Sequence, residues 1–222
     1  MSNGYFISFE GVDGSGKSTQ ISKLKEYLEA GGYEVVLSRE PGGTDIGEQI
    51  RSVILDPNNQ GMTAVTEALL YAASRAQHVH DVIAPAVEAG KVVICDRFVD
   101  SSIAYQQYGR KLGECVRIIN GYAIDGCMPD LTFLLKVKPD VGGTRIGSRE
   151  KDRIELEDKS FHEAVYQGYE SLQEEFSERI VGIDAARSVD EIFAEITDAD
   201  LLLLEANHEK EILLMGRYPY HL

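Results

Sequence analysis

The chain is poor in cysteine, in excess positive charge and in long apolar runs, and each shortage removes a class of protein. Its three cysteines, Cys95, Cys115 and Cys127, make an odd count with no C-x-x-C pair, which argues against a disulfide framework and a zinc site. Reduced thiols fit a cytosolic address. No apolar stretch approaches the roughly 18 residues a membrane span needs. The first residues lead straight into the strand-like Tyr5-Phe6-Ile7-Ser8-Phe9 without the charged start, apolar core and small-residue cleavage site of a signal peptide. A cytoplasmic protein with no membrane partner is expected. Formal charge is −15, which excludes the broad basic face of a nucleic-acid-coating protein. Phosphate binding, if present, must come from local clusters of donors.

What is there is an ordinary globular composition, 43% apolar and 27% charged over 222 residues, enough for one sizeable core. Strand patterns at Tyr5–Phe9, Tyr33–Ser38, Val92–Cys95, Leu131–Val137 and Ile180–Ile183 alternate with helical patterns at 18–30, 45–55, 63–89, 101–109, 113–124, 157–177 and 188–205. Crossovers of that length predict an α/β fold with a central, mostly parallel sheet flanked by helices. Residues 1–222 read as a single domain. Two places break the rhythm. The segment Pro139–Arg153 holds three glycines and four basic residues and reads as an exposed connection. The stretch 198–222 reads either as a helix extension with a loose end or as a partner-binding element.

Gly11-Val12-Asp13-Gly14-Ser15-Gly16-Lys17-Ser18 fits G-x-x-x-x-G-K-[ST] at every fixed position, between a strand and a helix. Its glycines let the backbone aim N–H groups at phosphate oxygens, and the following helix adds its dipole. Lys17 should reach the β- and γ-phosphates, and Ser18 should ligate Mg²⁺. The motif alone says only that a nucleoside triphosphate binds. The Asn-Lys dipeptide of guanine-reading segments is absent.

Val92-Val93-Ile94-Cys95 ends at Asp96-Arg97, at the strand end where open α/β sheets bind ligands. Asp96 suits a metal-bound water or the orientation of Lys17, and Arg97 suits a second phosphate; a surface ion pair is the plainer alternative. Tyr71 and Arg75 are one helical turn apart, as are Ser102, Tyr105 and Gln106. Either cluster alone is as well explained by core packing, but two near one phosphate site point to a base pocket. Arg39, just before Pro41 and the Gly42-Gly43 turn, and Arg51 are further phosphate donors or plain surface arginines.

Together these residues resemble the thymidylate kinase family over roughly residues 4 to 197. The resemblance is carried by Phe9 to Thr19, Arg39-Glu40-Pro41-Gly42-Gly43-Thr44, Ala72-Ala73-Ser74-Arg75, Asp96-Arg97-Phe98-Val99-Asp100-Ser101-Ser102 and Asp152-Arg153-Ile154-Glu155. It implies a three-layer P-loop NTPase fold, a homodimer, and transfer of the γ-phosphoryl of MgATP to dTMP. It places Asp13 at the acceptor sugar, Arg97 and Arg39 on the acceptor phosphate, Tyr71 stacked on thymine, Arg75, Ser102 and Gln106 on the base edge, and Tyr105 against the 2′ position. Residues 139–156 become a lid whose Arg145, Arg149 and Arg153 are catalytic donors, with Arg153 foremost. Gly14 and Ser15 leave the P-loop without an arginine, so the lid must supply that charge. The loop around Asp184-Ala185 is expected at adenine. The family usually ends near residue 200 to 210, which makes the last stretch extra. The rivals are a P-loop kinase for another small molecule and a nucleotide-binding switch.

Overall fold

The structure, a computed structural model, describes residues 4–138, 140–142 and 150–199. Five strands, β1 (Tyr5–Glu10), β2 (Val35–Arg39), β3 (Val92–Asp96), β4 (Leu131–Lys136) and β5 (Ile180–Asp184), form one sheet in the order β2-β3-β1-β4-β5. All four pairings are parallel. The helices are α1 (Lys17–Ala30), α2 (Asp45–Leu55), α3 (Ala64–His78), α4 (Ala84–Glu88), α5 (Val99–Ser102), α6 (Cys115–Ile124), α7 (Lys159–Glu175) and α8, residues 189–199.

Two of the expected helices contain a feature their sequence pattern does not announce. The stretch 63–89 carries a π-helical turn, Val79–Ile83, between α3 and α4, and the stretch 101–109 is π-helical over Ile103–Gly109 after α5. Such widening shifts the facing of later side chains, and here it falls on Tyr105 and Gln106.

Alternation along β1 decides what each face of the sheet holds. Ile7 and Phe9 pack with Leu24 and Leu28 of α1 and with Ile192 and Ile196 of α8. Phe6, Ser8 and Glu10 point to the opposite face, where Phe6 joins Ile83, Val93 and Phe98. There Ser8 and Thr132 share a hydrogen bond of 2.7 Å, and Glu10 is buried. Because β2 and β4 lie on opposite sides of β1 and β3, the loops after these two strands diverge and open a crevice at their C-terminal ends. Phe9 sits in register with Asp96, so the loop starting at Gly11 and the Asp96-Arg97 turn flank that crevice.

Candidate active site

The crevice holds a cavity of about 720 Å³. At one end the loop from Gly11 to Gly16 turns β1 into α1. Gly11 has φ +131°, and a Cβ there would stand 2.5 Å from the Leu135 carbonyl; Gly14, at φ +76°, lies against the Gly142 carbonyl. Only glycine fits either place. Asp13, Gly14, Gly16, Lys17, Ser18 and Thr19 line the cavity, while Gly11, Val12 and Ser15 form the buried side of the loop. The first turn of α1 therefore aims unsatisfied N–H groups into the space.

Lys17 is buried, and its Nζ donates to the carbonyls of Gly11 at 3.0 Å and Val12 at 3.2 Å. Burial, helped by the charge of Arg97 and opposed by Asp96, Asp13 and Glu10, lowers its pKa to about 8. Asp96 ends β3, and its Oδ1 is buried without a hydrogen-bond partner. Arg97 follows with φ +69°, a left-handed backbone that swings its side chain toward the P-loop. Its Nη2 donates to Asp13 at 2.7 Å, and its Nη1 donates to Ser101 and Tyr169 at 3.2 and 3.1 Å. Those two hydroxyls donate in turn to Glu10, at 2.6 and 3.0 Å, and Glu10 also accepts the Phe98 N–H at 2.7 Å. Burial, then the charge of Asp100, pushes the Glu10 carboxyl up to about 7.

At the other end, Arg75 of α3 is fully buried under a cage of acceptors. It donates to Ser102 and the Phe98 carbonyl at 3.0 Å, bonds Asn120, and pairs with Glu40 at 2.7 Å. His78 holds the other Glu40 oxygen at 2.9 Å and meets Ser38 through its second nitrogen at 2.6 Å. The Nε of Arg75 is buried with no partner, and so is Oε1 of Gln106, whose Nε2 donates to Glu67 at 3.0 Å. Both residues line the cavity together with Tyr71 and Tyr105. One space thus joins the P-loop to a pocket whose walls include Arg75 and Gln106, each with one buried side-chain atom that has no hydrogen-bond partner.

The sequence model of the thymidylate kinase family matches residues 9–196. The thymidylate kinase of Geobacillus thermodenitrificans is 51% identical over 209 residues, covering 92% of this chain and 93% of the relative. The chain belongs to the thymidylate kinase family. That of Clostridium novyi is 50% identical over 200 residues, 88% of this chain and 98% of its own. The crystal structure of the Ehrlichia chaffeensis thymidylate kinase superposes with a TM-score of 0.73 at 33% identity, over 89% of this chain and 98% of that one. The fold is the three-layer P-loop NTPase fold of this family.

Against the pattern expected of a thymidylate kinase, most named residues meet in the cavity and some do not. Arg39 and Arg51 line it; Arg39 is exposed and paired with Glu48 at 2.9 Å, and Arg51 donates to the Pro41 carbonyl at 2.8 Å. Ser102 does not line it; it is buried, and its hydroxyl accepts from Arg75 at 3.0 Å. The loop at Asp184-Ala185 does not line it either.

Arg153, expected as the foremost lid donor, is placed elsewhere. It is 3% exposed, its Nε donates to the Ile54 carbonyl at 2.8 Å and its Nη2 to Glu67 at 2.7 Å, so its charge is already neutralised inside the protein. Its backbone N–H donates to Leu55, which ties the end of the expected lid to the end of α2. The cavity takes its wall there from Asp152, Ile154 and Glu155 instead. Arg145, Arg149 and the stretch 200–222 lie outside the described residues.

Glu10, Tyr169 and Ser101 escaped the reading of the sequence, as did Glu40, His78 and Glu67. Glu10 had one available signal, an acid at the inward-facing end of an otherwise apolar strand. Tyr169 and His78 had none, since an aromatic at helical spacing reads as core.

Proposed function

We propose that the cavity transfers the γ-phosphoryl of ATP to the phosphate of dTMP, giving ADP and dTDP, the reaction of the thymidylate kinase family. The observation that carries this is the pair of unsatisfied groups at the base end. Thymine offers an acceptor, O4, beside a donor, N3–H, and so complements Arg75 Nε and Gln106 Oε1. Cytosine offers a donor and an acceptor in the reverse places and complements neither. Tyr71 stacks on the ring, Tyr105 crowds the 2′ position, and Ser102 acts through Arg75.

Arg97 and Arg39 hold the acceptor phosphate, exchanging Asp13 and Glu48 for phosphate oxygens, and Arg51 adds positive charge at that edge. Asp13, released, accepts the 3′-hydroxyl of the sugar. Lys17 leaves its loop carbonyls for the β- and γ-phosphates of ATP. An oxygen of the acceptor phosphate attacks the γ-phosphorus while the bond to the β–γ bridging oxygen breaks and ADP departs. The attacking oxygen is already anionic, so no general base is needed, and rate comes from position and charge neutralisation. The lid donors are Arg145 and Arg149; Arg153 serves as the anchor of that segment.

Among the described residues no group of three or more His, Cys, Asp and Glu can hold a metal by itself. The free Asp96 Oδ1 and the Ser18 hydroxyl do suit an oxygen-ligated cation that arrives with ATP. Mg²⁺ held there would neutralise charge on the phosphate oxygens.

Residues 1–222 act as one kinase domain with a lid at 139–156 and an extension at 198–222. The expected homodimer has a suitable surface. Ile46 and Val53 of α2, Val65 and Leu69 of α3, and Ile118 and Tyr122 of α6 are exposed, on helices that pack side by side. Among the described residues no helix is long and apolar enough to cross a membrane. Purified protein assayed with ATP, Mg²⁺ and each of dTMP, dCMP, AMP and GMP tests the acceptor. Turnover of dTMP no faster than of the others would sink the reading.

A further inference from the structure

Behind the base pocket lies a buried acid that phosphoryl transfer does not use. Glu67 of α3 is fully buried and does not line the cavity. Its Oε1 accepts Gln106 Nε2 at 3.0 Å and Arg110 Nε at 3.1 Å; its Oε2 accepts Arg110 Nη2 at 2.9 Å and Arg153 Nη2 at 2.7 Å. Burial opposes ionisation, but the bonds from Arg110, Gln106 and Arg153 outweigh it and hold the carboxyl below its ordinary value.

An ionised carboxylate has only acceptors. The Gln106 amide must therefore turn its NH₂ toward Glu67, because a half-turn about the terminal torsion would set oxygen against oxygen. What remains on the other side of the amide is its oxygen, buried and without a hydrogen-bond partner, in a residue that lines the cavity. We propose that Glu67 is a specificity-positioning residue: by locking the Gln106 amide with its oxygen toward the ligand, it makes the pocket choose a pyrimidine that carries a proton on N3, thymine over cytosine. This rests on the base lying against Arg75 and Gln106. A glutamine at position 67 presents both a donor and an acceptor, so the neighbouring amide can flip and offer its NH₂ to the bare N3 of cytosine.

The test compares kcat/KM for dTMP and dCMP in wild type and E67Q. The preference for dTMP is expected to fall by at least about tenfold, since buried polar groups that no longer match lose most of their discrimination. In a Gln106→Leu background, adding E67Q is expected to leave the ratio unchanged, because the amide through which Glu67 acts is gone. A ratio within about twofold of wild type, or an equal loss with both acceptors, would overturn the proposal and leave Glu67 as structural support only.

The base-edge reading is tested separately on wild type with N3-methyl-dTMP. Rejection of that acceptor is expected; if it is used as well as dTMP, the base-edge reading fails whatever E67Q does. Should E67Q not fold, the wild-type amide decides. The side-chain NH₂ of Gln106, followed by ¹⁵N labelling, is expected to stay protected from exchange both without and with dTMP, and loss of protection on dTMP binding would overturn the proposal.

Discussion

The two ends of the cavity are built on opposite plans. At the phosphate end every cation rests on a partner that a ligand can displace: Lys17 on its own loop carbonyls, Arg97 on Asp13, Arg39 on Glu48. At the other end the polar groups are buried and bonded to one another, Arg75 to Glu40, Asn120 and Ser102, and Gln106 to Glu67. A polyanion whose charge shifts during reaction is best met by mobile cations that regroup around it. A flat neutral base is best met by groups that cannot move, because discrimination comes from the cost of leaving a fixed donor or acceptor unpaired. The phosphate end should therefore govern rate, and the base end choice and stability.

The strongest challenge to that division is Lys17→Met. Loss of a cation on the transferring phosphoryl should lower kcat by about 10³-fold or more, with the dTMP preference over dCMP retained. Steady-state assay with both acceptors checks this, and a changed preference would blur the two ends together. Next is Arg97→Ala, which takes the 2.7 Å partner from Asp13 and, on the proposed reading, removes the clamp on the acceptor phosphate. The KM for dTMP should rise by about 10²-fold, with a smaller change in kcat.

Arg153→Ala discriminates between a lid donor and an anchor. Removing a buried partner of Glu67 should cost about 3 kcal/mol in unfolding free energy, read by denaturant titration. A loss of kcat with unchanged stability would return Arg153 to the catalytic centre.

A gentler probe is pH. With the free-enzyme Lys17 pKa lowered to about 8, the cation is present below that pH. Above it, ATP binding must take up a proton, so affinity should fall by up to about tenfold per pH unit. Calorimetric titration of ATP from pH 7 to 9.5 measures the slope, and Lys17→Met should flatten it. The smallest effect is expected of Tyr71→Phe. In the proposed stacking only the ring face is used, so KM for dTMP should change by less than about threefold.

How far the sequence alone could be followed differs between the same two ends. The P-loop is contiguous, its glycines are demanded by backbone geometry, and its place between strand and helix is set by local pattern. Sheet class and strand positions were legible for the same reason, although Tyr33 and Glu34 fall outside β2. Tyr71, Arg75, Tyr105 and Gln106 were identified as pocket residues from helical spacing and family likeness, and the structure brings them together. Their supports were not legible. Glu40, His78, Glu67 and Tyr169 bond partners 35 or more positions away in the chain, and no local pattern links them.

Arg153 shows the limit most clearly. Its sequence context, a basic residue at the end of a glycine-rich segment, is that of an exposed lid, and nothing local reveals the acid that receives it 86 positions away. By itself the sequence determined the parallel α/β sheet and the P-loop between its first strand and first helix, because each depends on periodicity or on a short run of backbone constraints. Only the tertiary structure decided which charges remain available to ligands and which are neutralised inside the protein. That depends on which side chains the packing of α3, α5 and α7 brings within bonding distance, and desolvation then makes those pairings obligatory.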